Sequence, residues 1–102
     1  MAPARQGHYK LYAYVCGTAC VEKPDVDGTV TFMMIWMKRP QHCRYAIVGE
    51  WDVATHCERI LVFDMYDTKI RGTVTLVPPK PRMICNDVDQ AIMATMMLYE
   101  QD

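Results

Sequence analysis

The sequence predicts an α+β, β-rich fold: a curved antiparallel meander of five to six strands, or a partial barrel, completed by one C-terminal helix. Three observations carry that expectation. Five stretches before residue 78 alternate apolar and other residues with the period of two that a strand requires. Val77-Pro78-Pro79-Lys80-Pro81 then interrupts them, because proline lacks the donor that a central strand needs. Residues 87–99 follow with helical spacing and one broad apolar face.

Taken in order, residues 1–8 read as a flexible N-terminus of a single domain spanning 1–102. Tyr9 to Cys16 form the first strand, with Leu11, Ala13 and Val15 on one face and Tyr12 and Tyr14 on the other. Gly17 and Pro24-Asp25-Val26-Asp27-Gly28 mark a turn-rich segment with room for a short extra strand at 18–22. The strongest strand candidate is 29–37. It points Val30, Phe32, Met34 and Trp36 one way and Thr29, Thr31, Met33, Ile35 and Met37 the other. Lys38-Arg39-Pro40-Gln41 punctuates, and Cys43 to Trp51 is the third strand. The fourth, 59–66, sets Leu61, Phe63 and Met65 against Ile60, Val62 and Tyr66, and a turn at Asp67-Thr68-Lys69 leads to a fifth at 70–77. Short links between neighbours favour hairpins, so 9–77 is expected to be one antiparallel sheet.

Residues 78–85 are the Pro-rich connector, and 86–100 the helix. Asn86 is placed as its N-cap, with Asp89 completing a capping box. Val88, Ala91, Ile92, Ala94, Thr95, Met96, Leu98 and Tyr99 make the broad apolar face, whereas Met93 and Met97 share the opposite side with Asp89, Gln90 and Glu100.

Composition narrows the function classes. A hydrophobic share of 51% and a charged share of 23% over 102 residues exclude disorder throughout. The formal net charge of −1 argues against a polyanion as main partner, since nucleic-acid affinity rests largely on basic groups that release counterions. The N-terminus has no apolar signal region, and the longest apolar run, Phe32 to Met37, is too short to cross a bilayer as a helix. A soluble, intracellular, cytoplasmic protein is therefore expected, with its five cysteines as free thiols; the alternative is a processed secreted domain with one or two disulfides.

Two His-Cys dipeptides, His42-Cys43 and His56-Cys57, offer zinc-type ligands. A strand of about eight residues separates them by roughly 25 Å, and adjacent residues on a strand point to opposite faces. One such pair converges on one ion only from a loop, and a set built with Cys16 and Cys20 is geometrically easier. The expectation is buried thiols, with no metal and no cofactor. Asp64 stands between Val62 and Tyr66 on an apolar strand face and is the carboxylate most exposed to perturbation if buried. Lys38, Arg39 and Arg44 beside Tyr12, Tyr14, Trp36 and Tyr45 would be needed for a single-strand platform, and nucleic acid is not the expected partner. Nucleotide-binding and metallopeptidase motifs and a nucleophile elbow do not occur in the sequence. Gly49-Glu50-Trp51 resembles the G-x-W of the lipocalins over three residues, and neither residue roles nor activity are carried over from it.

The functional expectation follows from a mismatch. Strands at 29–37 and 59–66 are apolar on both faces, yet one helix covers only one side of a sheet. A non-enzymatic protein-binding module is expected, self-associating as a homodimer. Its surface would be Met33, Ile35 and Met37 on the second strand with Met93 and Met97 on the helix, because methionine adapts to irregular partners. The alternatives are a small barrel holding an apolar ligand and a small enzyme using a Cys/His or carboxylate site.

Overall fold

A computed structural model of the chain describes residues 8–67 and 80–101. Its elements are β1 (His8–Gly17), β2 (Cys20–Glu22), β3 (Thr29–Thr31), α1 (Phe32–Lys38), β4 (Tyr45–Asp52), β5 (Cys57–Asp64), β6 (Met83–Cys85) and α2 (Val88–Gln101). All six strands form one antiparallel sheet in the order β2-β1-β4-β5-β6, with β3 also pairing β1. Lys10 faces Gly49 on one side and Thr29 on the other, and Tyr14 faces Ala46 and Glu22, so β2 and β3 share the edge of β1 away from β4. Among the described residues the sheet is open, and no enclosed barrel interior forms.

The central strands follow the alternation closely. On β4 and β5, Ala46, Val48, Leu61 and Phe63 enter one core, while Tyr45, Ile47, Ile60 and Val62 enter the other. β1 departs from it. Its register with β4 shifts between Leu11 and Ala13, so the extra residue of a bulge reverses the face of everything after it. Tyr14 therefore joins Tyr9 and Leu11 in the first core, while Val15 joins Tyr12 in the second.

The largest correction lies at 29–37. Only Thr29–Thr31 is strand, and Phe32–Lys38 is a helix. Thr31 caps it by accepting a hydrogen bond from the Met34 N–H at 3.3 Å. Arg39 ends it in extended backbone, as the residue before Pro40 must, and Lys38 sits favourably at the negative end of the dipole. Phe32 and Ile35, three apart, insert into the first core, and Trp36 packs beside them. The Phe32 ring meets Phe63 edge-on at 5.0 Å, and the Tyr14 hydroxyl donates to the Ile35 carbonyl at 2.8 Å.

α2 covers the opposite face. Ala91 and Thr95 are its two fully buried residues, and their small side chains let the helix sit close to Val15, Tyr45, Ile47, Ile60 and Val62. Its cap falls one residue later than expected: Asp87, not Asn86, accepts from the Gln90 N–H at 2.8 Å, while Gln90 reaches back to the Asn86 N–H. The helix continues to Gln101. At the other end of the connector, Met83–Cys85 are not a link but an edge strand, paired with Ile60, Leu61 and Val62. The expected strand at 70–77 lies outside the described residues. His8, assigned to a flexible terminus, is the first residue of β1 opposite Thr31.

Among the described residues, α1 packs on one core of the sheet and α2 on the other. The larger part of the stretch expected as a strand, from Phe32 to Met37, is itself a cover.

Candidate functional site

Of the five residues expected to form one apolar surface, Ile35 has 0% exposure and is core. Met33 is half-buried, and Met37 projects outward at 73%. On α2, Met93 and Met97 lie on the side away from the sheet at 65% and 58% exposure. Because α1 and α2 cover opposite faces, the outward methionines of the two helices do not form one patch.

A chemically denser site forms at the β1–β2 edge, where Cys16, Glu22, His42 and Cys43 bring their ligand atoms within 4.8 Å of one another. Each arrives for a local reason. Cys16, two residues after Tyr14, faces the first core, and the β1–β2 register shifts around it, between Val15 and Gly17. Glu22 ends β2 opposite Tyr14. His42 and Cys43 lie in the loop after α1, the condition under which adjacent residues can converge.

That loop is tied down by Arg39, whose Nη1 donates to the carbonyls of Gln41 at 3.0 Å and Cys43 at 2.8 Å, while the Cys43 N–H donates to Pro40 at 2.9 Å. Cys16 and Cys43 are joined as a disulfide, contrary to the expectation of free thiols; Cys20, Cys57 and Cys85 are free. Cys43 is buried beneath, and the rim is formed by His42 Nε2 and Glu22 Oε1, 3.2 Å apart, with side chains 62% and 43% exposed. His56 and Cys57 do not belong to this cluster. His56 instead holds a left-handed turn before β5, with φ 55°.

The other singled-out groups serve the fold. Asp64 accepts from Arg44 Nε and Nη2, both at 3.0 Å, and from the Tyr66 N–H at 3.0 Å. This paired carboxylate fixes the chain where β5 ends. The Tyr99 hydroxyl donates to the Val15 carbonyl at 2.9 Å and accepts from the Arg44 N–H at 3.1 Å, stitching α2 to the ends of β1 and β4. Burial pushes the Tyr14 hydroxyl up to about 12, and Tyr9 rises likewise, through burial first and then the Glu50 carboxylate. Tyr14 and Tyr45 are core, so neither is free to stack on a base. Trp51, of the G-x-W triplet, stands half-exposed near the end of β4.

Glu22 is the member of the cluster that sequence reasoning missed. Its distance along the chain from His42 carries no signal, and only the pairing of β1 with β2 places it there. No family model, curated protein or solved structure matches this chain. Among the described residues, no helix is long and apolar enough to cross a membrane.

Proposed function

We propose that the chain is a non-enzymatic protein-binding module that associates with a second copy of itself through the outer face of α2. The observation supporting this reading is the pair Met93 and Met97, one turn apart on the helix surface farthest from the sheet and more than half exposed. A fully buried methionine contributes about 1.5–3 kcal/mol, so two from each copy roughly match an association cost of about 4–15 kcal/mol. The resulting dimer is weak and concentration-dependent. Asp89 and Glu100 flank the methionines, so like charges meet across a symmetric contact and salt strengthens it.

The test is mass in solution by analytical ultracentrifugation over a wide concentration range, for the parent chain, Met93→Asp and Met97→Asp. Both side chains point away from the core, so the variants fold. A concentration-dependent dimer lost in both variants supports the proposal. A monomer at every concentration, or a dimer indifferent to both substitutions, refutes it.

A further inference from the structure

We propose that Cys16, Cys43, His42 and Glu22 form a zinc site when the Cys16–Cys43 disulfide is reduced, so that the same two sulfurs either bond to each other or hold the ion. The donor set is one that zinc favours: two thiolates, an imidazole nitrogen and a carboxylate oxygen. Tetrahedral bonds of about 2.0–2.3 Å place ligand atoms roughly 3.3–3.8 Å apart. Ligand atoms within 4.8 Å of one another reach that geometry by side-chain adjustment, once reduction lets the two sulfurs separate.

The surroundings favour the same reading. His42 Nε2 and Glu22 Oε1 already face each other at 3.2 Å on the outer rim, while Cys43 closes the inner side against the core. Two thiolates and a carboxylate bring three negative charges against the two positive charges of zinc. Arg39, bonded to the Cys43 carbonyl at 2.8 Å, offsets the surplus and holds the loop that presents both His42 and Cys43.

Conversion uses a dithiol reductant. Two electrons and two protons pass from the dithiol to the Cys16–Cys43 bond, which breaks to two thiols as the reductant closes to its own disulfide. Zinc then displaces the two thiol protons. Oxidation of the two thiolates by a disulfide of the same class reverses the step and releases the ion.

The full chain, reduced with a phosphine and freed of it without air, is titrated with zinc against a chromophoric chelator and with cobalt(II) as an optical probe. One equivalent is expected to bind the reduced chain, with thiolate-to-cobalt charge-transfer and tetrahedral absorption, and the oxidised chain is expected not to bind. The triple variant Cys20→Ser, Cys57→Ser, Cys85→Ser retains the site. His42→Ala and Glu22→Gln, both exposed positions outside the core, each lower the affinity at least about tenfold. Equal binding by the oxidised chain, failure of the reduced chain to bind one equivalent, loss in the triple variant, or unchanged affinity in His42→Ala would overturn the proposal.

Discussion

Ile35 and Met37 are two residues apart, and replacing each by alanine separates two accounts of the segment around them. On a strand both would share a face and respond alike. On α1 they diverge: Ile35 is 0% exposed beneath the helix, and Met37 is 73% exposed above it. Ile35→Ala removes a fully packed side chain from the core that also holds Phe32, Phe63 and Leu61, a change that costs about 2–5 kcal/mol. Met37→Ala removes little that is enclosed and stays within about 0.5 kcal/mol. Typical domain stability is about 5–15 kcal/mol, so the first loss is a large fraction of the whole. Urea unfolding followed by far-ultraviolet circular dichroism reads the difference. With a slope of about 1–3 kcal/mol per molar urea, the Ile35→Ala midpoint falls by roughly 1 M or more, while Met37→Ala leaves it nearly in place. Equal midpoints for the two variants would refute the placement of α1.

Three further outcomes follow from named contacts. Tyr99→Phe removes the hydroxyl that bridges the Val15 carbonyl and the Arg44 N–H, and is expected to cost about 0.5–1.5 kcal/mol in the same urea assay. Gly49→Ala would bring a methyl group onto the Glu58 carboxylate and within 2.8 Å of the Tyr12 ring, breaking their 2.6 Å hydrogen bond. Glu58 is exposed and swings aside, so the cost is that of the lost hydrogen bond, about 0.5–1.5 kcal/mol, whereas Gly17→Ala, whose new carbon meets only Cys20 at 3.8 Å, introduces no clash and serves as the control.

The third is a pH dependence. Burial raises Tyr9 and Tyr14 from an ordinary 10.0 to about 12, so above pH 10 the unfolded chain loses protons that the native chain keeps. Their contribution is fully present below pH 10 and disappears as pH rises toward 12. Denaturant midpoints measured across that range should fall with tyrosinate absorbance lagging behind, and a flat profile would contradict it.

The parts legible in the sequence are those governed by one period at a time. On β4 and β5 the faces follow directly from the period of two, and α2 carries a broad helical stripe; the bounds differ, since β4 begins at Tyr45 and not Cys43, and β5 runs Cys57–Asp64 with Met65 and Tyr66 in the turn after it. β1 was readable as a strand, but the shift between Leu11 and Ala13 left no mark in residue type, and the face of Tyr14 and Val15 was therefore inverted. At Phe32–Lys38 two readings compete, because an unbroken apolar run satisfies the strand and helix periods together. The helical signals were present: three methionines, Ile35 as the single β-branched residue, a capping Thr31 and a stopping Pro40.

The site divides the same way. His42-Cys43 stands out as a dipeptide, and of the two cysteines expected beside it Cys16 joins the cluster while Cys20 stays outside it, free and exposed. The dipeptide's meeting with Glu22 depends on how the short strand expected within 18–22 pairs with β1, and that register is not written in local spacing.

That the chain encloses both sheet faces with its own helices depends on α1, and backbone chemical shifts of Phe32–Lys38 test it most directly. Cα resonances displaced toward helical values across those seven residues, flanked by strand values at Thr29–Thr31, are the predicted result. Strand values continuing through Met37 would uncover one face of the sheet and contradict the account.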